Sequence, residues 1–393
     1  MRIAMISEHA SPLAALGGVD AGGQNTHVAA LASALGDLGH DVRVYTRRDA
    51  PDLPEVVTAQ SFDVVHVPAG PPTGVPKDGL LPYMGAFAEW MAADWRTGHA
   101  PDVAHAHFWM SGLAAVTAAR ACGAPVVQTY HALGTVKRRH QGTADTSPPH
   151  RASYERQLGR VVDRIVVQCR DEERELLEMG VPGERMSLVP SGVDLDLFTG
   201  DGPAAPRTGR RRILTVGRLV ERKGYADLIR ALPRLPDAEL CVVGGPGNAH
   251  ARQLRDLARE HGVAERVLLT GAVAPAEMPR WYRSADVLAA TPWYEPFGLT
   301  PLEAMACGVP VVATAVGGLT DTVVHGVTGE LVPPRSPDAL VAALRRVLYD
   351  DVRRSSYAAA ATDRATRVYG WPSIASRIAD VYAETANLRE VVA

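Results

Sequence analysis

The sequence predicts an α/β protein composed of two doubly wound, Rossmann-like domains. Short β-branched runs recur along the chain, each followed by a Gly-rich or polar turn and a helical pattern. This alternation indicates parallel sheets covered on both faces. The pattern breaks once, where Gly, Pro and Arg dominate from Thr199 to Arg212. The length of 393 residues also exceeds what one ordinary core requires, so two domains are expected.

The first domain is predicted to span residues 1–199. Its strands are expected in the apolar runs RIAMIS, DVRVYT, DVVHVP, DVAHAH, PVVQTY, RIVVQC and MSLVPSG. The Gly- and Pro-rich stretch that follows is interpreted as an interdomain linker. A second domain is predicted over residues 210–371, with strands in RILTVG, ELCVVGG, RVLLTG, DVLAAT, PVVATA and GELVPP.

The C-terminal tail, residues 372–393, predicts one amphipathic helix. Ile374, Ile378, Val381 and Tyr382 fall on one face of it. An apolar face needs a partner, so this helix is expected to cross back onto the first domain.

The composition argues against several classes of protein. A formal net charge of −3 provides no field for nucleic acid. No apolar run reaches the roughly 18 residues of a membrane span, and the N-terminus lacks the apolar core of a signal peptide. The four cysteines lack metal-ligand spacing and are interpreted as buried, reduced thiols of a cytoplasmic protein. A homodimer is left open.

Three Gly-rich loops follow predicted strands, where parallel sheets bind ligands; two facing domains would line a cleft with them. The loop Gly17–His27 opens a helix, and the amides of Gly22 and Gly23 suit a phosphate group. A tight turn without a ligand is an equal alternative. Because the spacing is not G-x-G-x-x-G, a dinucleotide fingerprint is not supported. The loop around Gly244 is a further turn of this kind.

Two cations and two carboxylates stand out in the second domain. Arg218 follows a strand and Lys223 comes five residues later, a spacing that suits a diphosphate and its leaving-group charge, although surface cations would look the same. Thr300 and Glu303 fit a capping box. Glu295 has no such local explanation, because an ionised carboxylate in an apolar turn needs a partner.

The motifs GGQN, HAHFWMSG, TVGRLVERKG and EPFGLTPLEAMACGVPVVATAVGGLTDTVVHGVTGELV resemble the retaining glycosyltransferases of family 4, which have the GT-B fold. The resemblance covers nearly the whole chain. It is nearest to the sucrose-phosphate synthase and mycothiol (inositol-phosphate) glycosyltransferase branches.

The resemblance implies roles for the donor site. Arg218 and Lys223 would hold the donor diphosphate, Glu303 would bond the nucleotide ribose, and Glu295 would contact the sugar hydroxyls. His131 would lie against the sugar near the reacting carbon, although a lone His after a strand is often structural. Further donor contacts are expected at Gly22, Gly23, Gly244, Val273, Phe297, Gly298 and Leu299. His105 and His107 are interpreted as core or cleft-edge residues, and no metal site is predicted.

The same resemblance implies an anionic acceptor. Lys77, Lys137 and Arg151 match basic acceptor-binding residues. Gln24, Asn25 and Phe108 are assigned to the acceptor as well. Phe108 and Ala132 stand where the inositol-phosphate branch has hydroxyl side chains, so a carboxylate remains an alternative to a phosphate.

The expected reaction is front-face transfer of a hexose-type sugar from a UDP or GDP sugar, with retention and without a metal or other cofactor. The expected partners are small molecules only. Three alternatives stay open. They are a transferase with a neutral sugar, polyol or thiol acceptor, a non-transferring nucleotide-sugar enzyme on the same fold, and a non-catalytic binding protein.

Overall fold

The computed structural model describes residues 1–13, 22–245 and 247–392. Residues 17–21 of the predicted phosphate loop therefore lie outside the described residues. The chain divides into two compact units. The first comprises Met1–Ser191 and Trp371–Ala393, and the second comprises Gly192–Gly370.

The first unit contains an eight-stranded sheet with the order β3-β4-β2-β1-β5-β6-β7-β8. Its strands are β1 (Arg2–Ile6), β2 (Asp41–Arg47), β3 (Val56–Thr58), β4 (Asp63–Val67), β5 (Val103–His107), β6 (Val126–Thr129), β7 (Arg164–Val167) and β8 (Met186–Leu188). Neighbouring strands are parallel except for the antiparallel pair of β3 and β4, which the sequence did not predict.

Helices cover both faces of this sheet. They are α1 (Gly23–Asp37), α2 (Met84–Asp94), α3 (Trp109–Ala119), α4 (Gly134–Gln141), α5 (Arg151–Val161) and α6 (Arg170–Glu178). Successive residues of β1 point to opposite faces of the sheet, because side chains alternate along a strand. Ile3 and Met5 pack in one core cluster with α1, whereas Ala4 and Ile6 pack in another with α2 and α3.

The second unit contains a parallel six-stranded sheet with the order β11-β10-β9-β12-β13-β14. Its strands are β9 (Arg211–Val216), β10 (Ala238–Val243), β11 (Val267–Gly271), β12 (Val287–Ala290), β13 (Val311–Thr314) and β14 (Gly329–Val332). Its helices are α7 (Tyr225–Ala231), α8 (Asn248–Glu260), α9 (Met278–Arg283), α10 (Leu299–Ala306), α11 (Leu319–Thr322), α12 (Pro337–Leu348) and α13 (Asp351–Tyr369). Ile213 and Leu214 pack in different core clusters, so this sheet is also buried on both faces.

The C-terminal helix, α14 (Trp371–Val392), packs on the first unit. Ile374, Ile378 and Tyr382 share a core cluster with β1 and α1. The Tyr382 hydroxyl also lies 2.7 Å from Nδ1 of His105, a buried residue of β5. The predicted fold class, with two Rossmann-like units and a returning helix, is confirmed.

One detail of the sequence prediction is wrong. Cys122 is exposed, because it lies in the turn that follows α3, whereas Cys169, Cys241 and Cys307 are buried free thiols as predicted. Among the described residues, no helix combines the length and the apolar character needed to cross a bilayer.

Candidate active site

The second unit holds the predicted donor residues at the carboxyl edge of its sheet. Lys223 ends a 3₁₀ turn, Glu221–Lys223, that follows β9, and Glu295 lies beyond β12. Gly224 fixes this turn, because a Cβ at this position would lie 2.0 Å from the carbonyl oxygen of Thr291. Its φ of 71° is also a conformation that favours glycine.

Lys223 and Glu295 form a partly buried ion pair. The Lys223 Nζ atom donates to Oε2 of Glu295 at 2.5 Å, and the two side chains are 18% and 15% exposed. Burial acts to raise the pKa of Glu295, but the charges of Lys223, Arg222 and Arg218 outweigh it and lower the pKa. Glu295 is therefore an ionised acceptor at neutral pH, and the structure identifies Lys223 as its partner.

Arg218 extends the cationic side of this group. Arg218 lies two residues after β9, is exposed, and belongs to none of the ion pairs among the described residues. The arrangement therefore offers one exposed cation, one paired cation and one ionised carboxylate, a set that suits a diphosphate beside a hydroxyl-bearing sugar.

Glu303 lies on α10 and accepts a hydrogen bond from the Tyr282 hydroxyl. Burial raises its pKa, and this hydrogen bond only partly opposes the effect. The predicted capping box of Thr300 and Glu303 is wrong, because α10 begins at Leu299 with Gly298 as its N-cap. The sequence analysis did not identify Tyr282 as the partner of Glu303, because the two residues are 21 positions apart in sequence.

The backbone positions predicted to bind the donor lie on neighbouring loops. Phe297, Gly298 and Leu299 form the start of α10, where helix amides lack intrahelical acceptors. Gly244 follows β10, and its amide donates to the carbonyl of Gly271 at 3.0 Å. Val273 lies two residues beyond Gly271, so the loops after β10 and β11 meet. A ligand contact of Gly244 would use its carbonyl group.

In the first unit, hydrogen bonds to neighbouring residues hold the start of α1 in place. The amide of Gly22 donates to Oδ1 of Asn25 at 3.1 Å, and the Asn25 Nδ2 donates to the carbonyl of Ser11 at 3.0 Å. Gln24 donates to the carbonyl of His107 at 3.3 Å. Gly23 is the first residue of the helix. The side chain of Asn25 is thus a structural cap, and its contact with an acceptor remains a prediction.

His131 follows β6 with a φ of 60° and lies among other histidines. Its Nε2 atom is 2.9 Å from Nδ1 of His107, and the two rings are stacked. The ring of His27, on α1, lies edge-on at 5.0 Å. Burial and the neighbouring imidazoles hold the pKa of His131 well below its usual range, so the ring is neutral.

The predicted acceptor cations gather around Phe108. The Arg151 guanidinium lies 4.9 Å from the ring centre and the Lys77 Nζ atom lies 5.8 Å from it. Arg151 and Lys137 both bond the hydroxyl of Ser147, at 3.2 and 2.9 Å. Phe108 is itself buried, with a φ of 82°, just before α3. The structure thus brings the three predicted cations together.

Carboxylates accompany these cations. Arg151, which is only 3% exposed, donates to Glu155 at 2.7 Å. Lys137 lies 3.0 Å from Asp145. The amide of Ser147 and the ammonium group of Lys137 overcome the effect of burial and lower the pKa of Asp145 to about 2. Sequence reasoning missed Asp145 and Glu155, because neither belongs to a recognisable motif.

A cavity of about 300 Å³ lies beside Arg151. Arg138, Arg139, Asp145 and Ser147 also line it, and the N-terminus of α4 contributes Gly134. Each of the three arginines also pairs with a carboxylate: Arg138 with Asp145, Arg139 with Glu175 and Arg151 with Glu155. Its size suits a small polar molecule.

Comparisons with known proteins find similarity over nearly the whole chain. The model described as Glycosyltransferase Family 4 matches residues 21–197, and the model described as Glycosyl transferases group 1 matches residues 202–364. The D-inositol 3-phosphate glycosyltransferase of Xylanimonas cellulosilytica is 39% identical over 99% of this chain and 98% of its own. The D-inositol 3-phosphate glycosyltransferase of Corynebacterium diphtheriae is 35% identical over 99% of this chain and 96% of its own.

Solved structures are similar over the same length. The sucrose-phosphate synthase of Thermosynechococcus elongatus superposes with a TM-score of 0.88 at 31% identity, covering 97% of this chain and 98% of that one. Anabaena Alr3699/HepE in complex with UDP gives a TM-score of 0.77 at 19% identity, covering 98% of this chain and 100% of that one, a likeness of fold alone.

Proposed function

Because this chain belongs to the family 4 glycosyltransferases of GT-B fold, we propose that it transfers a hexose-type sugar, with retention, from a nucleotide diphosphate sugar to a small anionic acceptor. The observation that carries the proposal is the Lys223–Glu295 ion pair beside Arg218. The pair places a cation that can bind a diphosphate beside a carboxylate that can accept hydrogen bonds from hydroxyl groups.

The donor is assigned to the carboxyl edge of the second unit's sheet. Arg218 and Lys223 bind the diphosphate, while Glu295 accepts hydrogen bonds from the sugar hydroxyls. Its lowered pKa supports this role, because an ionised carboxylate is a strong acceptor. Glu303, with Tyr282 on its other oxygen, bonds the ribose. We propose a UDP or GDP sugar.

Transfer is proposed to follow a front-face course. The bond between the anomeric carbon and the diphosphate oxygen breaks, and its electron pair stays on the diphosphate. The acceptor oxygen forms the new bond from the same face, and its proton passes to a donor phosphate oxygen. Arg218 and Lys223 stabilise the charge on the leaving group. Glu295 is held by Lys223 and Glu303 by Tyr282, so neither is assigned as a covalent nucleophile.

The acceptor's anionic group is assigned to the cations around Phe108 and to the adjoining cavity. Phosphate appears in the names of the inositol 3-phosphate relatives. Here Phe108 and Ala132 provide no hydroxyl group, so a carboxylate remains as suitable as a phosphate. A neutral sugar or polyol is the second candidate, because Lys137 and Arg151 already have carboxylate partners.

A donor screen tests the first half of this proposal. Thermal unfolding is measured with UDP, GDP, ADP and TDP, and UDP or GDP should raise the midpoint most. A ligand at 100 times its dissociation constant adds about 2.7 kcal/mol to the free energy of unfolding. The Lys223→Ala variant should show a much smaller shift. No shift with any of the four nucleotides would contradict the donor assignment.

A further inference from the structure

Three histidines from three separate elements converge in the first unit. His27 lies on α1, His107 ends β5 and His131 follows β6. One ring nitrogen from each lies within 4.8 Å of the other two. We propose that these three imidazoles form a binding site for a divalent transition metal, with Zn²⁺ as the best-suited ion.

Two of the imidazoles are already in contact. Nδ1 of His107 lies 2.9 Å from Nε2 of His131, and these are the two atoms that would bind the metal. The other ring nitrogen of His107, Nε2, is buried and makes no hydrogen bond to any described atom.

An outer layer of polar groups supports one ligand. Nδ1 of His27 lies 2.8 Å from the hydroxyl oxygen of Ser191, which can accept a hydrogen bond from an Nδ1–H group. A metal-bound histidine usually has such a partner at its other nitrogen, which fixes the ring. Metal binding at Nε2 of His27 would leave Nδ1–H to donate to Ser191.

The distances suit a small metal ion after modest side-chain movement. In a tetrahedral zinc site with bonds of 2.0–2.1 Å, ligand nitrogens lie about 3.4 Å apart. The His107–His131 pair must open by about 0.5 Å, and the wider pairs must close. Three imidazoles and one open position are a donor set that Zn²⁺ favours, whereas Mg²⁺ and Ca²⁺ prefer oxygen.

Metal titration tests the site directly. The chain is freed of metal with a chelator and titrated with Co²⁺ and then Zn²⁺, following visible absorption and heat of binding. We expect one saturable Co²⁺ site per chain, displaced by Zn²⁺. His27→Gln should weaken binding by at least about 100-fold, more than the loss of a supporting residue.

His66→Gln is the matched control, since His66 is also buried in the first unit but lies on β4. It should leave metal binding unchanged. If His27→Gln does not fold, His131→Gln replaces it, because His131 is only half-buried. Absence of a saturable Co²⁺ signal, or unchanged affinity in the folded cluster variant, would overturn the proposal.

Occupation of the site has a consequence that rests on the proposed function. The resemblance to family 4 implies that His131 contacts the donor sugar; a metal bound to His131 would block this contact, so Zn²⁺ should slow transfer and a chelator should restore it. Metal binding itself is measured without donor or acceptor. Its failure would therefore leave the proposed transferase activity standing.

Discussion

Replacing Glu295 with Gln is expected to lower the transfer rate by about 100- to 1,000-fold while the chain still folds, the range typical for one preorganised electrostatic group. The substitution keeps the size of the side chain but removes the charge that pairs with Lys223 and that we propose accepts hydrogen bonds from the sugar hydroxyls. Steady-state kinetics with the donor identified by thermal shift measure the effect.

Lys223→Ala should lower the transfer rate by a similar factor, because it removes a cation that we propose stabilises the leaving group. In the double variant, the transfer rate should fall by less than the product of the two single factors, since the two residues act as one unit. Glu277→Gln is the control, because Glu277 forms an exposed ion pair with Arg280 in the same unit. Near-normal rates in both single variants would refute the donor site.

Replacing Lys77 with Met should raise the acceptor Michaelis constant by about 10- to 150-fold and leave the donor constant nearly unchanged. This range corresponds to the 1.5–3 kcal/mol of a charge-assisted contact. Met keeps the apolar stem that lies near Phe108 but removes the ammonium group. Initial rates at varied acceptor concentration, with donor saturating, measure the change.

Arg120→Met is the matched control, because Arg120 is an exposed cation of the same unit at the end of α3. Arg151→Ala is less informative. Removing one partner of a buried ion pair typically costs about 3–5 kcal/mol of stability, and Arg151 is buried with Glu155. An unchanged acceptor constant in Lys77→Met would favour the neutral acceptor.

The sheets were predictable because their strands are nearly continuous apolar runs, which a parallel sheet buried on both faces requires. The short β3 was not, since three residues carry too little pattern. The start of α10 was misplaced because Gly298 adopts a left-handed conformation that the capping-box pattern does not anticipate.

The sequence predicted which residues belong to the candidate site, but it did not predict which side chains pair with one another. Sequence singled out Glu295 as needing a partner, but Lys223 is 72 residues away and only the sheet brings them together. Asp145 and Glu155 pair with two of the predicted acceptor cations, Lys137 and Arg151. These pairs depend on how α4, α5 and the loop between them pack, which no local motif encodes. The sequence analysis did not single out His27, because the histidines beside it come from β5 and from the turn after β6.

The anomeric configuration of the product tests the central claim most directly. Wild-type enzyme is incubated with an α-linked UDP or GDP sugar and a panel of phosphorylated and carboxylated acceptors, and the product's anomeric proton is examined by NMR. The account predicts an α-linked product that depends on Glu295 and Lys223. A β-linked product would contradict the front-face mechanism, and turnover without glycosylation of any acceptor would contradict transfer itself.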